Sequence, residues 1–493
     1  MKSACLFPAL LLFLNIYSQE VPYMIWEYEH GDEVNHQWAQ NTVQTSNGGY
    51  FVLYMQDDME GETNSNYGLA RLSPEGEELW VKTFGGNNSD TPVKILKAAT
   101  GNFVLLGHSR SNDGDLSHNY GDFDIWIVMI DESGTILWEK NYGGSQAENA
   151  ADIAEDTEGG FVVLGMSNSS DGDVSENKGY SDYWLFKISE TGDLIWEKTY
   201  GGSTSDWTYS LIPANGGGWL VSGSSTSTDG DISNPFGKRD VWVIKVNAGG
   251  ELLWEKSIGD AEDNWNYGMI ADHSQSGGYL VFGRTEYDDL EVIHGFLVKI
   301  NDEGDLLWQS DSEKFITNMA LGNYPNYIWA SMEDSGIGGE FLIFRVLAEE
   351  VNSDWETIWS YEVGYCGWWK PSFYPYDLTF NNDDKIVITG SKGSDYFSKA
   401  WVGLISPGQM NTRDLENLSV WLYPNPAQSF VYMNSSEPVR KVNVYNAAGK
   451  LIIQREFYSE KIIKLDIRHL IPGPYFVSVT TEKEIHTIPL LVK

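Results

Sequence analysis

Short apolar stretches of alternating character recur along most of the chain, separated by glycine-rich or polar turns. In the block around Phe161–Thr199, Glu158-Gly159-Gly160 forms a turn and Phe161–Gly165 is an apolar, β-rich run. A polar loop follows over Ser167–Ser181, then an alternating stretch over Tyr183–Ile188. Glu190-Thr191-Gly192 is a hairpin turn leading into Leu194–Thr199, and a weaker strand around Ala150–Ala154 precedes the block. Alternation at period two with turn residues between runs predicts strands. No stretch sustains a 3.6-residue helical period.

The same pattern returns with a fixed ruler. Trp26, Trp80, Trp138, Trp196, Trp254, Trp308 and Trp359 stand 54, 58, 58, 58, 54 and 51 residues apart. Glycine follows five positions later at Gly31, Gly85, Gly143, Gly201, Gly259 and Gly364; the sixth block has Glu313 there. Four short strands per period of about 50 residues predict a propeller blade. The expected fold is therefore all-β: a seven-bladed β-propeller over residues 20–408. An extra Trp-bearing strand, Tyr23–Tyr28, precedes the first complete set, and one is missing after Trp401–Ile405. The N-terminal strand is thus expected to complete the last blade and remove a free edge. The repeat Trp residues are expected to pack between neighbouring blades, each burying roughly 150–250 Å².

The texture changes near Leu418. Residues 409–417 form a polar linker, and residues 418–493 read as a small antiparallel β-sandwich of short strands. These are Ser419–Leu422, Phe430–Met433, Val439–Tyr445, Lys450–Glu456, Ile462–Leu465, Gly473–Thr481 and Ile485–Val492. Charge divides at the same place. The net charge is −39, yet the tail is +3, leaving −42 for the rest. That field disfavours nucleic acid and anionic membranes as partners.

At the other end, Lys2 and the apolar run Leu6–Leu14 resemble a signal peptide over residues 1–19, too short to span a bilayer. No other run reaches membrane-spanning length. Cys5 leaves with that segment, so the mature chain keeps only Cys366 and no intramolecular disulfide.

Two features mark one face of the expected ring, where inter-blade loops and the loops between second and third strands meet. The first is Ser-x-Ser-x-Asp-Gly-Asp-x-Ser, carrying Asp113 and Asp115, Asp171 and Asp173, and Asp229 and Asp231. Carboxylates two apart around a glycine suit Ca²⁺; the same residues also cap turns through backbone hydrogen bonds. The second is aromatic: Trp38, Trp207, Trp265, Trp368 and Trp369 lie where innermost strands begin, beside Asp206, Asp263 and Asn264. Such groups suit a glycan or protein ligand, and they also suit packing. Catalysis has little support. The eight His residues are scattered, with no His-Glu-x-x-His and no Gly-x-Ser-x-Gly. A polysaccharide-directed enzyme using channel-face carboxylates and a structural surface protein are the alternatives to a binding or adhesion module.

The tail carries phrases of a known family. Leu422-Tyr423-Pro424-Asn425-Pro426, Val444-Tyr445-Asn446-Ala447-Ala448-Gly449-Lys450, Leu465-Asp466, the Leu470, Gly473, Tyr475 phrase and the closing Leu490-Leu491-Val492-Lys493 stand in order. They resemble the type A C-terminal sorting domain of the type IX secretion system, with Pro474 a small departure. The resemblance implies export across a Gram-negative outer membrane by that machinery, with the product tethered at the surface or released. The repeats, with Asp124-Ile125-Trp126, Asp182-Tyr183-Trp184 and Asp240-Val241-Trp242, are similar to those of other cargo of that system.

Overall fold

The computed structural model describes residues 22–31, 36–58, 64–272, 277–287, 292–312, 314–321, 327–334, 344–351, 357–366, 372–394, 397–406, 420–423, 430–446, 450–471, 473–481 and 485–492. The expected signal peptide and linker lie outside them. Every regular element among the described residues is a strand, and no helix is long and apolar enough to cross a membrane. The chain divides into a repeat unit, Met24–Ser406, and a second unit that contains Pro407–Lys493.

The repeat unit opens with β1 (Tyr23–His30). Four-stranded antiparallel sheets follow in chain order. The first holds β2 (Gln37–Gln44), β3 (Tyr50–Asp58), β4 (Asn64–Leu72) and β5 (Glu78–Phe84). The second holds β6 (Asp90–Lys97), β7 (Phe103–Ser109), β8 (Asp124–Ile130) and β9 (Ile136–Tyr142). The third holds β10 (Glu148–Glu155), β11 (Phe161–Ser167), β12 (Asp182–Ile188) and β13 (Leu194–Tyr200). The fourth holds β14 (Asp206–Pro213), β15 (Trp219–Ser225), β16 (Asp240–Val246) and β17 (Leu252–Ile258). The fifth holds β18 (Asp263–Ala271), β19 (Tyr279–Tyr287), β20 (Val292–Ile300) and β21 (Leu306–Ser312). The sixth holds β22 (Phe315–Leu321), β23 (Tyr327–Asp334), β24 (Phe344–Val351) and β25 (Thr357–Cys366). The seventh combines β26 (Ser372–Phe380), β27 (Ile386–Ser394) and β28 (Phe397–Ser406) with β1, which hydrogen-bonds to β28 as its outer strand.

The sheets share one irregularity. Between first and second strands the register slips after the second, third or fourth pair, at Ala39/Asn41, Pro92/Lys94, Ala150/Asp152, Thr208/Ser210, Asn266/Gly268, Ile316/Asn318 and Pro375/Asp377. A bulge increases local twist and re-aims the unpaired side chain; it also explains why Pro92 and Pro375 are tolerated in these strands.

Packing runs between consecutive sheets. Phe51, Leu53 and Tyr67 of the first sheet bury against Phe103, Leu105 and Trp126 of the second. Val162, Leu164 and Tyr183 of the third meet Trp219, Val221 and Trp242 of the fourth. Tyr28, Val387, Ala400 and Val402 of the seventh sheet bury against Ala39, Tyr50, Val52 and Tyr54 of the first.

Residues of the recurring Trp-Glu-Lys-x-Tyr phrase and its variants supply polar contacts at five consecutive junctions. The phrase Trp donates to the hairpin turn of the next sheet: Trp138 Nε1 to the Glu190 carbonyl at 3.1 Å, and Trp254 Nε1 to the Asp302 carbonyl at 3.1 Å. Trp26 of β1 does the same to Pro74 of the first sheet, also at 3.1 Å. The turn residue beneath must be glycine. Gly192 has φ of +78°, and a Cβ there would lie 3.1 Å from the Trp138 ring. The phrase Lys and Tyr also reach across: Lys140 Nζ to Asp193 at 2.6 Å, Tyr142 Oη to the Gly192 carbonyl at 2.5 Å. The phrase Glu turns inward instead. Glu139, Glu197 and Glu255 accept from the indole N–H of the fully buried Trp126, Trp184 and Trp242, at 3.0, 3.2 and 3.0 Å. A buried Trp keeps its hydrogen bond in this way, and that accounts for the Trp of the Asp-x-Trp pattern.

The tail is antiparallel β with fewer, longer strands than its pattern indicates: β29 (Val420–Tyr423), β30 (Phe430–Asn446), β31 (Leu451–Asp466), β32 (Gly473–Thr481) and β33 (Ile485–Val492). Two pairs of expected short strands are fused. Phe430–Met433 joins Val439–Tyr445 within β30, and β31 runs through both Lys450–Glu456 and Ile462–Leu465, because register shifts between Asn434 and Lys441 accommodate the break without ending the strand. The result is one five-stranded sheet rather than separate short strands, around a core of Val431, Val442, Ile463, Tyr475, Val477 and Leu490.

Candidate functional site

The Asp-Gly-Asp loops connect second and third strands and lie against the glycine pair that enters the same sheet. Asp113 accepts from the Asn87 N–H at 2.8 Å and Asp115 from the Gly85 N–H at 3.1 Å. Asp171 and Asp173 accept from the N–H groups of Ser145 (2.7 Å) and Gly143 (3.2 Å). Asp229 and Asp231 accept from those of Ser203 (2.7 Å) and Gly201 (3.0 Å). Lys178 Nζ also binds Asp231, at 2.5 Å. These six carboxylates thus latch an incoming connection to the loop that faces it. Among the described residues, no three His, Cys, Asp or Glu side chains are grouped to hold a metal ion.

A second latch lies beneath. Asp90 accepts from the Gly86 N–H (2.7 Å) and the Ser111 hydroxyl (3.1 Å), and from Ser109. Asp206 does the same with Gly202 (2.9 Å), Ser227 (3.1 Å) and Ser225. Asp206 is therefore buried among its own sheet's donors, and burial pushes its carboxyl up to about 6. Its carboxylate is taken up by donors of its own sheet. Asn264 holds the equivalent place in the fifth sheet, buried, donating to Asp260 at 3.0 Å and accepting from Thr285 at 2.9 Å.

Opposite Glu148, Asp206 and Asn264 stands the Asp of the Asp-x-Trp phrase, whereas Asn66 stands opposite Asp90. Asp124 accepts the Tyr120 N–H at 2.5 Å through one oxygen; its other oxygen is buried without a partner. Glu148 lies across Gly143, whose absent Cβ would sit 2.5 Å from both Asp124 Oδ1 and Glu148 Oε2. Burial, with Glu148 adding to it, raises the Asp124 carboxyl to about 7. Asp182 and Asp206 repeat the arrangement around Gly201, with Asp182 raised by burial to about 6.

The structure brings two of the candidate tryptophans together through a residue the sequence pattern does not single out. Arg239, at the end of the loop between β15 and β16, places its guanidinium carbon 4.6 Å from the Trp207 ring centroid and 3.5 Å from that of Trp265. It bridges the fourth and fifth sheets. Arg284, the cross-strand partner of Trp265, approaches that ring at 5.6 Å and Tyr267 at 5.7 Å. Tyr209 and Tyr267 are the unpaired bulge residues of β14 and β18, so the bulges turn them out of the ladder. Burial raises both tyrosine hydroxyls, Tyr267 to about 12, while Arg284 pulls each back and Arg239 also acts on Tyr209. Trp207, Trp265, Arg239 and Arg284 are all half-buried.

Three N–H groups of this cluster are buried with no acceptor: Trp265 Nε1, Arg239 Nε and Arg284 Nε. Arg284 is ion-paired with Glu286; Arg239 has no carboxylate partner among the described residues. The signal in the sequence was departure from the repeat. Arg239 stands where other blades have Phe123 and Ser181, and Arg284 where they have His108, Met166 and Ser224.

The remaining candidates are dispersed. Trp38 belongs to the first sheet and stacks on His36, with ring centroids 5.1 Å apart. Asp263 opens β18, half-buried, and its backbone forms a parallel bridge with Arg239. Trp368 and Trp369 lie outside the described residues, as do Pro424, Asn425, Pro426 and Gly449 of the sorting phrases. Gly473 and Tyr475 open β32; Tyr475 is buried and donates to the Ile471 carbonyl at 2.9 Å.

Comparison with known proteins separates the two units. The chain resembles solved structures only distantly. The extracellular domain of a hybrid two-component system from B. thetaiotaomicron aligns at 8% identity and TM-score 0.41, covering 94% of this chain and 57% of that one. Drosophila semaphorin 1b extracellular domains align at 8% and 0.42, covering 78% and 87%. An α-L-arabinofuranosidase from Fusarium graminearum aligns at 8% and 0.39, covering 81% and 99%. Among curated proteins, the regulatory protein FlaEY of Caulobacter vibrioides is 21% identical over 228 residues; the match covers 43% of this chain and only 24% of that relative. The tail, in contrast, matches a family model directly: residues 421–493 fit the secretion system C-terminal sorting domain. With that domain behind propeller-like repeats, the chain is a cargo of the type IX secretion system, exported to the cell surface or released.

Proposed function

We propose that the exported protein is a binding or adhesion module: a closed seven-bladed propeller, spanning residues 20–408, that holds a glycan or protein ligand on its Trp207–Arg239–Trp265–Arg284 face. Support for the ring comes from the recurring bulge, from β1 completing the last sheet, and from Trp26 gripping the first sheet as Trp138 grips the third-sheet turn. The observation that carries the binding reading is the trio of buried donors without acceptors. Each unsatisfied buried donor costs about 1–3 kcal/mol, and a ligand oxygen seated there relieves that cost. The nearby acids favour binding over catalysis, because Asp206 is occupied by its own sheet's hydroxyl and N–H donors.

A glycan array with Trp207→Ala and Trp265→Ala tests this. Wild type is expected to bind a defined set of saccharides, and either substitution is expected to abolish it. No binding to any saccharide or surface-protein ligand would refute the reading.

A further inference from the structure

Arg239 is out of character with its surroundings. The chain carries 71 acidic residues against 32 Lys and Arg, yet this half-buried cation has no carboxylate partner among the described residues. Other basic groups nearby are paired: Arg284 with Glu286, and Lys238 with Glu262 at 3.8 Å. Arg239 is held by aromatic faces instead, between Trp207 and Trp265. A guanidinium offers five donors and no acceptor, and an indole N–H is donor only. Whatever completes Trp265 Nε1, Arg239 Nε and Arg284 Nε must therefore supply acceptor oxygens.

We infer that the ligand of this face is a saccharide carrying a carboxylate, a uronic acid residue, with its carboxylate oxygens on Arg239 and Arg284. This inference rests on the binding role proposed above and specifies the ligand class. The carboxylate supplies the missing counter-charge for Arg239 and accepts in the fork geometry that guanidinium groups favour. The aromatic setting accounts for the sugar ring. Trp207 and Tyr209 on β14 and Trp265 and Tyr267 on β18 alternate with the buried Thr208 and Asn266, so two aromatic residues from each of two neighbouring sheets are turned to the partly exposed side. The long-range field of the chain repels polyanions, so recognition depends on this short-range pairing; the contact is local to one or two residues of the saccharide.

The test uses the full chain and three probes by calorimetry: trigalacturonate, its methyl ester, and galactotriose. The ester keeps the sugar and removes the charge, so it asks the question without altering the fold. Trigalacturonate is expected to bind at least about 10-fold more tightly than the ester, the scale of one charge-assisted hydrogen-bonded pair. Arg239→Met and Arg284→Met are each expected to erase that difference while the melting temperature stays near wild type. Equal binding of acid and ester, with both lost in Trp265→Ala, would overturn the carboxylate inference and leave the binding role standing. Binding of none of these probes, with an acidic peptide bound in their place, would overturn the saccharide class. Failure of all saccharides and peptides would overturn both.

Discussion

Replacing Asp124 by Asn is expected to stabilise the protein at pH 8 and to do so much less at pH 5. Asp124 is fully buried, with one oxygen bonded to the Tyr120 N–H and the other without a partner beside Glu148. Burial, then Glu148, Asp173 and Asp122, raise its carboxyl from the ordinary 3.8 to about 7. A group that holds its proton more tightly in the folded state stabilises fully below its unfolded value, and that stabilisation is lost as pH rises through its folded value. At pH 8 the loss amounts to ~4 kcal/mol at most, from 1.36 kcal/mol per tenfold change in affinity for the proton. The fold already contains the proposed variant. At the first junction Asn66 faces Asp90 around Gly85, and at the fourth Asp240 faces Asn264 around Gly259, each with one amide where the second and third junctions have two carboxyls. An amide at 124 can donate to Glu148 at any pH. Thermal melts of wild type and Asp124→Asn across pH 5–8 report the difference, and comparing the pair cancels other titrations. One of these is His108, which burial lowers to about 4 and which costs stability as pH falls below its unfolded value of 6.5. A variant that melts lower than wild type at pH 8, or by the same offset at both ends, would refute the account.

Other outcomes follow from the junctions and loops. Tyr142→Phe leaves the buried Gly192 carbonyl unpaired and is expected to cost about 1–3 kcal/mol in urea denaturation. Gly192→Ala, forced to keep a φ of +78° against the Trp138 ring, is expected to lower stability by at least ~1 kcal/mol, whereas Gly101→Ala, with positive φ but no neighbour near its Cβ, is expected to cost less. Deleting residues 23–30 removes the outer strand of the seventh sheet and the Trp26 grip; a melting temperature unchanged by this would contradict ring closure by β1. Calcium and a chelator are each expected to leave the melting temperature unchanged, since Asp113, Asp171 and Asp229 already accept backbone N–H groups; a calcium-dependent rise would reverse that reading.

Much of the architecture was legible because the repeat writes its junctions in sequence. Trp138, Lys140 and Tyr142 are spaced by two along β9, so period two puts all three on one face, toward the next turn. The tail was less legible in detail, since a strand that bends through a register shift looks in sequence like two strands with a gap, as at Asn434–Val439. The site was legible only in half. Aromatic residues at strand starts were visible against the ruler, but the enclosure of Asp206 by Ser225 and Ser227 was not. Arg239 was missed because its contacts reach across sheets and 26 residues of chain to Trp265, a pairing no local pattern encodes.

The forward reach of the phrase has a consequence for how such an array changes over time. Each repeat carries the hooks for its successor and the eye for its predecessor, so the unit of inheritance and the unit of assembly are offset by one. Copying a whole repeat copies a matched hook and eye, and an array of another length is reachable in one step. A substitution within one phrase has no such freedom, because its complement lies in a neighbouring repeat. The first strand is the exception: Trp26 hooks onto Pro74 of the first sheet, although the rest of its own sheet lies more than 300 residues away in the chain. Growth is thus open anywhere along the array, and only that strand is bound to the two ends of the repeat unit.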